Sequence, residues 1–323
     1  MDFPGRSLAA RWTIPVLMTA CLFSCGAPPS TNALRPYPRE LGSFSMSHGP
    51  AIIQEGEFSG QAVIRPWSGY WHPLSRIDAR SALEKYDRLS GRAALAREEL
   101  RITTESRPFQ PWEGRCDAWA FASILQPEPL VPKVVEVDGR REVFSVAEQK
   151  ALWIYAHEVV DPSIRGTVGE RNDGNGGGAF EDISPAEFHR VLQVMLQGRR
   201  VPFIMDRDPR PPVWNTPVDG ARWTIRRDPV RADLFHVRAW IYAVFPYDDD
   251  RDSAERLAPV LEYQYVLEAH PVPDGYEVHG SKWSGRSVRD HPDFVTWIDP
   301  LAASPVRSLN VDLDTDWLRA RLQ

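Results

Sequence analysis

The spacing of apolar residues changes once along the chain, and this change limits the folds that the sequence permits. Up to about residue 196 the apolar positions recur at helical spacing, whereas after residue 201 they alternate with polar positions. Helices are predicted at 80–89, 91–100, 117–125, 146–159 and 184–196. Strands are predicted at 201–205, 222–226, 234–245, 261–269 and 276–283. A helical half followed by an antiparallel half is an α+β plan, and the interface between the halves is a natural cleft.

The length and charge of the chain exclude some classes of protein. With 323 residues, of which 42% are apolar, the chain is long enough to bury a sizeable core. Its formal net charge is −6, so it has no basic field for holding a nucleic acid. We therefore expect a folded protein without a nucleic-acid partner.

The N-terminal segment has the features of an export signal. Two arginines precede the apolar run of residues 12–23, which is too short to span a bilayer as a permanent helix. The run ends in Leu22-Phe23-Ser24-Cys25, which resembles a bacterial lipobox. Cys25 is therefore the predicted lipidation site and would anchor the exported protein to the bacterial membrane. Ordinary signal cleavage near Ala27, which would give a secreted protein, is the alternative.

The composition after this signal predicts a tether and one domain. Residues 26–60 are rich in Pro, Ser, Gly and Asn and have neither helical nor strand period, which is typical of a tether. The predicted organisation is a lipoprotein-type signal peptide at 1–25, a tether at 26–60 and a single domain at 61–323.

Cys116 is the only cysteine after residue 25, and its position favours catalysis. It follows a turn that contains Gly114, and it lies at the start of a predicted helix rich in small residues. A thiolate at a helix N-terminus is stabilised by free backbone N–H groups and by the helix dipole, so the sequence predicts a lowered thiol pKa. We interpret Cys116 as a catalytic nucleophile.

His236 is the candidate general base. In the predicted strand 234–245 the odd positions are apolar, whereas His236, Arg238, Trp240 and Tyr242 share the other face. The histidine therefore points away from the core. A position at the start of a strand, far downstream of the cysteine, is where a thiol enzyme of this chain order keeps its base.

Glu268 is the candidate partner of this histidine. If the strands 234–245 and 261–269 form a hairpin, a register that pairs Val244 with Val260 also pairs His236 with Glu268. Glu268 would then orient the imidazole. Asp293 and Glu262 are the alternatives for this third position.

Gln110 is the candidate oxyanion donor. It lies six positions before the cysteine, where its side-chain amide, with the Cys116 backbone N–H, would donate to the oxyanion formed by attack on a carbonyl. An ordinary loop glutamine is the alternative reading.

Seven segments, in matching order over roughly residues 62–297, resemble one family. The first three are Pro66-Trp67-Ser68-Gly69-Tyr70-Trp71, Leu83-Glu84-Lys85-Tyr86-Asp87 and Trp112-Glu113-Gly114-Arg115-Cys116-Asp117-Ala118-Trp119-Ala120. The others are Ser184-Pro185-Ala186-Glu187-Phe188-His189, Val213-Trp214-Asn215-Thr216-Pro217-Val218, Gly280-Ser281-Lys282-Trp283 and His291-Pro292-Asp293-Phe294. Together they resemble the transglutaminase elicitor family, and the segment around Cys116 is also similar to the active-site segment of papain-like cysteine proteases.

This resemblance implies a papain/transglutaminase-like fold with the active site in the cleft between its two halves. It implies a protein-glutamine γ-glutamyltransferase in which Cys116 is the nucleophile and His236 the base. The partners would be a protein or peptide glutamine donor and a lysine or other primary amine. Trp112, Trp119 and Trp214 would line the substrate groove and keep water from the thioester, or they belong to the core. A cysteine peptidase or amidase, and an inactive envelope-binding lipoprotein, are the alternatives.

No cofactor or metal is predicted. The acidic run 248–252 suggests calcium, but it lacks the spaced ligands and the glycine of a calcium loop, so a solvated hairpin tip is the preferred interpretation. The segment that begins at His157 imitates a zinc-protease helix, yet Asp161 stands where the second histidine would be needed.

Overall fold

The computed structural model describes residues 50–160, 165–172, 181–246, 260–298 and 306–323. Its helices are α1 (Arg80–Ser90), α2 (Ala94–Thr104), α3 (Cys116–Leu125), α4 (Val146–Tyr155), α5 (Pro185–Val191) and α6 (Thr315–Leu322). Its strands are β1 (Ile52–Ile53), β2 (Gly56–Gln61), β3 (Lys133–Val137), β4 (Arg140–Phe144), β5 (Val159–Val160), β6 (Arg165–Gly169), β7 (Phe203–Asp206), β8 (Asn215–Arg227), β9 (Leu234–Ala243), β10 (Val260–Val272), β11 (Gly275–Trp283), β12 (Phe294–Ile298) and β13 (Val306–Arg307). The predicted α+β fold, with helices in the N-terminal part and a large antiparallel sheet, is confirmed.

The large sheet places the start of β8 beside β7. Within the described ranges its strand order is β1-β11-β10-β9-β8-β7-β12-β6, and each of these pairs is antiparallel. β7 pairs with the first residues of β8, from Asn215 to Val218, and β2 pairs with the following residues on the same edge. The start of β8 also faces α3, since the Cys116 thiol contacts Val213 and Asn215.

Two helices begin with the capping arrangement that their sequences predict. The Ser184 hydroxyl accepts from the Glu187 N–H at 3.2 Å, the Glu187 side chain accepts from the Ser184 N–H at 3.0 Å, and Pro185 occupies the first helical position. α4 begins with the same reciprocal pair, between Ser145 and Glu148. α5 continues into a π-helical segment, Leu192–Arg199, so the helical stretch is slightly longer than predicted.

The helices of the N-terminal part enclose one apolar core, which α6 completes from the C-terminal end of the chain. Its largest fully buried side chains include Trp67, Tyr86, Trp119, Trp153 and Tyr155. Burial of a large aromatic side chain stabilises a fold by about 3–5 kcal/mol relative to alanine. This core therefore holds α3 firmly from the side opposite the sheet.

The alternation predicted for β9 is confirmed. Buried and exposed residues alternate along the strand, with the odd-numbered residues buried and His236 and Arg238 exposed. β10 has its buried tyrosines on the corresponding face. These buried residues pack against α5, where Phe188 lies edge-on to Tyr263 with ring centroids 5.5 Å apart.

Several elements differ from the sequence prediction. β1 and most of β2 lie within residues 52–60, which were predicted as the end of the tether, and these strands pair with β11 and β8. α2 begins at Ala94 rather than at residue 91, because Gly91 adopts a left-handed conformation that ends α1. The unpredicted hairpin β3–β4 turns at Asp138 and Gly139, which both have positive φ, as a two-residue hairpin loop requires.

The register of β9 and β10 differs from the predicted one by two residues. Tyr242, not Val244, pairs with Val260, and His236 consequently pairs with Val266. A hairpin register is set by the length and type of the connection. The connection here is long and lacks a tight-turn signal, so the sequence alone did not fix the register.

Candidate active site

Just before Cys116, the backbone at Gly114 lies so close to Trp71 that only glycine fits there. Gly114 forms an isolated antiparallel bridge with Pro73, and a Cβ atom at position 114 would overlap the indole ring of Trp71. The next residue, Arg115, donates its backbone N–H to the Trp71 carbonyl at 2.7 Å. These contacts fix the start of α3, and Cys116 is its first residue.

Arg115 lies in a buried ionic cluster directly before the thiol. Its guanidinium contacts Glu98, donates from Nε to Glu158 Oε1 at 2.7 Å and lies 3.9 Å from the centroid of the Tyr155 ring. Arg101 contacts Glu98 as well, at 2.7 Å. Burial disfavours the charge of Arg115, but Tyr155, Glu158 and Glu98 outweigh it and raise the pKa of Arg115. The cluster therefore anchors the N-terminus of α3.

The Cys116 thiol faces the start of β8. Its Sγ donates to the Val213 carbonyl oxygen at 3.7 Å and accepts from Asn215 Nδ2 at 3.5 Å. Burial, and then the charge of Asp117, raise the pKa of the thiol to about 11, whereas Asn215 and Arg171 act in the opposite direction. The predicted lowering of the thiol pKa is therefore wrong, because removal of water from the sulfur outweighs the helix N-terminus. The resting thiol is protonated and needs a proton acceptor.

Two buried carboxyl groups lie near Asn215. Asp206, the last residue of β7, pairs with Asn215, and antiparallel partners direct their side chains to the same face. The Oδ1 atom of Asp206 accepts from the Trp214 N–H at 2.9 Å. Burial, and then the charge of Asp293, raise the pKa of Asp206 to about 8. Burial also raises the pKa of Asp293, which immediately precedes β12, to about 7.

The three predicted groove tryptophans have different surroundings. Trp214 is half-buried beside Asn215, and its ring lies edge-on to Trp71 with centroids 5.9 Å apart. Trp112 is also half-buried. Trp119 is fully buried, and its Nε1 donates to the Trp67 carbonyl at 3.0 Å. The assignment of Trp119 to the groove is therefore wrong, since it belongs to the helical core.

Gln110 lies in an exposed turn before α3. Its backbone N–H donates to Glu113 Oε2 at 2.9 Å, and its carbonyl accepts from the Glu113 N–H at 3.0 Å. Arg107 holds the same carboxylate at 2.7 Å. The polar contacts of the thiol come from Val213 and Asn215, so the oxyanion role of Gln110 stays a prediction.

His236 is far from Cys116. In the register of β8 and β9 it pairs with Arg226, which lies eleven residues along β8 from Asn215. At about 3.3 Å per strand residue this separation is roughly 35 Å. His236 instead bonds to Asp228 at 2.7 Å on an exposed surface. The structure therefore does not bring together the predicted nucleophile and the predicted base.

The predicted partner carboxylate is remote from the thiol as well. Glu268 pairs with Leu234 rather than with His236, and its side chain lies 3.5 Å from Arg231. The alternative Glu262 is held by Arg238 at 2.7 Å on the exposed face of the sheet. Of the three alternatives for the third position, Asp293 is the one that the structure places near the start of β8, through its electrostatic contact with Asp206.

Asn215 and Asp206 are the site residues that the sequence interpretation missed. Asn215 stands within Val213-Trp214-Asn215-Thr216-Pro217-Val218, a segment singled out for its resemblance, but its amide was given no role. Asp206 directly follows the predicted strand 201–205. The sequence feature that could have identified Asp206 is the position of its carboxylate at the end of a predicted buried strand.

Two predictions fall outside the described residues, namely lipidation at Cys25 and the acidic run 248–252. Among the described residues, no group of three or more histidine, cysteine, aspartate or glutamate side chains is placed to hold a metal ion. In the same part of the chain, no helix has the length and apolarity needed to cross a membrane.

Comparisons with known proteins agree with the resemblance. The family described as Transglutaminase elicitor matches residues 96–253. Among solved structures, the GP42 transglutaminase from Phytophthora sojae matches with a TM-score of 0.60 and 20% sequence identity, over 82% of this chain and 90% of that chain. No curated protein gives a significant match to the sequence. The predicted recognition of the family is confirmed, and the family match supports an enzyme of the protein-glutamine γ-glutamyltransferase type.

Proposed function

We propose that this chain, which matches the Transglutaminase elicitor family across Cys116 and the start of β8, is a thiol acyltransferase that acts on glutamine side chains. The observation that carries the proposal is the Cys116 thiol at the first residue of α3, with Asn215 Nδ2 3.5 Å from its sulfur. Cys116 attacks the carboxamide, ammonia leaves, and a primary amine such as a lysine side chain takes the acyl group from the thioester.

The start of α3 and Asn215 supply donors for the negative charge that develops during the attack. The Cys116 backbone N–H lies in the first turn, where helical N–H groups have no intrahelical acceptor. Asn215 Nδ2 donates toward the sulfur from the sheet side. Loss of one donor to an oxyanion typically costs about 10²–10³ in kcat. Asn215 is thus proposed as an oxyanion donor besides the predicted Gln110.

The indoles of Trp71 and of Trp214, the chain neighbour of Asn215, are expected to favour an amine over water as the acyl acceptor. Trp71 and Trp214 meet edge-on next to Asn215, and the guanidinium of Arg207 lies 5.6 Å from the centroid of the Trp214 ring. An apolar wall of this kind limits the access of water to a thioester. An amine on a flexible side chain still reaches the carbonyl carbon.

Incorporation of a labelled primary amine into a glutamine-bearing protein tests the proposed activity. Wild type is expected to incorporate the amine and to release ammonia in equal amounts. The variant Cys116→Ala is expected to lose at least three orders of magnitude in rate, because the acyl group then has no covalent carrier. Circular dichroism of both proteins checks that the variant is folded.

Other products would change the assignment. Peptide fragments that depend on Cys116 and appear without amine incorporation would identify a cysteine peptidase. Ammonia release without amine incorporation would identify an amidase. The absence of any Cys116-dependent product would favour a binding protein.

We further propose that the protein is exported and attached to a membrane through Cys25, on the strength of the apolar N-terminal run and its Leu22-Phe23-Ser24-Cys25 ending. Labelling with radioactive palmitate in a bacterial host is expected to mark wild type and to spare Cys25→Ala. The matched variant Cys21→Ala is expected to stay labelled. Equal labelling of wild type and Cys25→Ala would contradict the proposal.

A further inference from the structure

No histidine is among the hydrogen-bond partners of the Cys116 thiol in the described part of the chain. The hydrogen-bond partners of the thiol are Val213 and Asn215. The side chains of the described histidines contact other residues. His72 lies against Tyr70 and Tyr155, His157 against Gln126 and Trp153, and His189 against Tyr265. His236 bonds to Asp228, His270 pairs with Glu277 and stacks on His279, and His291 bonds to Asp182. A half-buried thiol with a raised pKa therefore needs a different base.

Asp206 has an oxygen atom free for this role. The residue is 1% exposed, and its Oδ1 atom accepts from the backbone N–H groups of Trp214 at 2.9 Å and Arg207 at 2.8 Å. Its Oδ2 atom is buried and has no hydrogen-bond partner among the described residues. Such an orphaned oxygen is costly and rare in a folded protein. Asp206 pairs with Asn215, so its carboxyl lies one side chain away from the Cys116 sulfur.

Asp293 supplies a second carboxyl close to Asp206. Its Oδ2 atom accepts from the Asn172 N–H at 3.0 Å, and the neighbouring Arg171 acts electrostatically on the Cys116 thiol. Asp206 and Asp293 repel each other when both are ionised, so near neutral pH one carboxyl of the pair stays protonated. A group that gains and loses a proton near the working pH is an effective general acid and base.

We propose that Asp206, paired with Asp293, accepts and returns the proton of Cys116 in place of a histidine. This role rests on the acyl transfer proposed above. The structure has no direct contact between Sγ and Oδ2, so the proton crosses the gap beside Asn215 through one bridging water molecule. Asn215 stabilises the sulfur during the transfer.

The protons balance in both halves of the reaction. In the first half the S–C bond forms and the C–N bond of the glutamine carboxamide breaks, while the thiol proton passes to Asp206 and then to the nitrogen that leaves as ammonia. In the second half the bond between the amine nitrogen and the acyl carbon forms and the C–S bond breaks. The proton of the amine then passes through Asp206 to Sγ, which restores the thiol.

The pH dependence of Cys116 alkylation by iodoacetamide tests this role. The full chain is alkylated between pH 5 and pH 10, and the peptide that contains Cys116 is quantified by mass spectrometry. Wild type is expected to show a rise in rate with an inflection between about pH 7 and about pH 8, where the carboxyl pair ionises. Asp206→Asn is expected to lose this inflection and to react at least ~10-fold more slowly at pH 7.5, since the amide accepts no proton.

Three further variants separate this role from a structural one. Asp206→Glu keeps a titrating carboxyl and is expected to restore an inflection. Asp293→Asn removes the repelling charge and is expected to move the inflection down by about one pH unit. Asp274→Asn, a matched change at an exposed position, is expected to leave the profile unchanged. These variants also keep the test valid if Asp206→Asn does not fold.

A structural role for Asp206 predicts the opposite result. Removal of a negative charge near the sulfur would ease thiol ionisation, so Asp206→Asn would then react as fast as wild type or faster. That result, or an unmoved inflection in Asp293→Asn, would overturn the proposal. Alkylation needs neither glutamine nor amine. A failure of the proposed acyl transfer therefore appears in the amine-incorporation assay alone, and a failure of the Asp206 role appears in the alkylation profile.

Discussion

Substitution of Arg115 by methionine is expected to lower the free energy of unfolding by about 3–5 kcal/mol, because it leaves the buried Glu158 carboxylate without its cation and Glu98 with Arg101 alone. Arg115 is 2% exposed and contacts both Glu98 and Glu158. Urea unfolding followed by tryptophan fluorescence measures the change. The matched control is Arg80→Met, which removes an exposed ion pair to Glu99 and is expected to cost less than about 1 kcal/mol.

A second set of variants tests the physical cause of this loss. If uncompensated charge is responsible, addition of Glu98→Gln and Glu158→Gln to Arg115→Met is expected to recover part of the stability, since neutral amides are less costly to bury than carboxylates. A loss that these changes do not reduce would assign the effect to packing against Tyr155. A variant Arg115→Met as stable as wild type would show that the cluster does not anchor α3.

The secondary structure was predictable where it depends on local patterns. The positions of α1, α3 and α5 and the alternation in β9 follow from residue spacing and capping residues. β1 and β2 were missed because their short, Gly-containing segments become strands only by pairing with β11 and β8. Such pairing over a long sequence separation leaves no periodic signal in the strand itself.

The active site was only half predictable for the same reason. Cys116 was recognisable from a turn, a helix start and the segment around them, which are local features. The choice of His236 as base required knowledge of where along the sheet the helix packs, and strand parity gives only the face of a residue, not its distance from another element. Asn215 and Asp206 lie close to the thiol because β7 pairs with the start of β8.

The direction of the pKa shift of the Cys116 thiol could not be predicted for a similar reason. A helix N-terminus lowers the pKa of a thiol that remains solvated. Here the sulfur is enclosed between α3 and β8, and its burial, together with Asp117, raises the pKa. The degree of burial at a helix start depends on what packs over it, which for Cys116 is a strand a hundred residues downstream.

Buried histidines are expected to make the protein unfold steeply in acid. Burial lowers the pKa of His72 to about 3, of His157 to about 4 and of His189 to about 3. Below about pH 6.5 the unfolded chain therefore binds protons that the folded chain does not, so stability present above that pH is lost as the pH falls toward 4. Each histidine contributes about 1.4 kcal/mol for each pH unit, and the three together about 4 kcal/mol.

Asp206 and Asp293 oppose this loss in part. Their pKa values are raised in the folded state, so each stabilises the fold as the pH falls from about 8 or about 7 toward 4, by up to about 1.4 kcal/mol for each pH unit. The three histidines outnumber these two aspartates, and the five groups together are expected to contribute a net loss of about 1.4 kcal/mol for each unit between pH 6.5 and pH 4.5.

Urea unfolding of wild type and His189→Gln at pH 7.0, 6.0 and 5.0 measures the histidine contribution. The glutamine is able to keep the hydrogen bond to the Tyr265 hydroxyl but does not titrate. The dependence of stability on pH is expected to weaken by about 1.4 kcal/mol for each unit in this variant. The exposed pair of His270 with Glu277 provides the control, and His270→Gln is expected to follow wild type. Parallel curves for His189→Gln and wild type would mean that His189 gains its proton at the same pH in the folded and unfolded protein, which would contradict the lowered pKa.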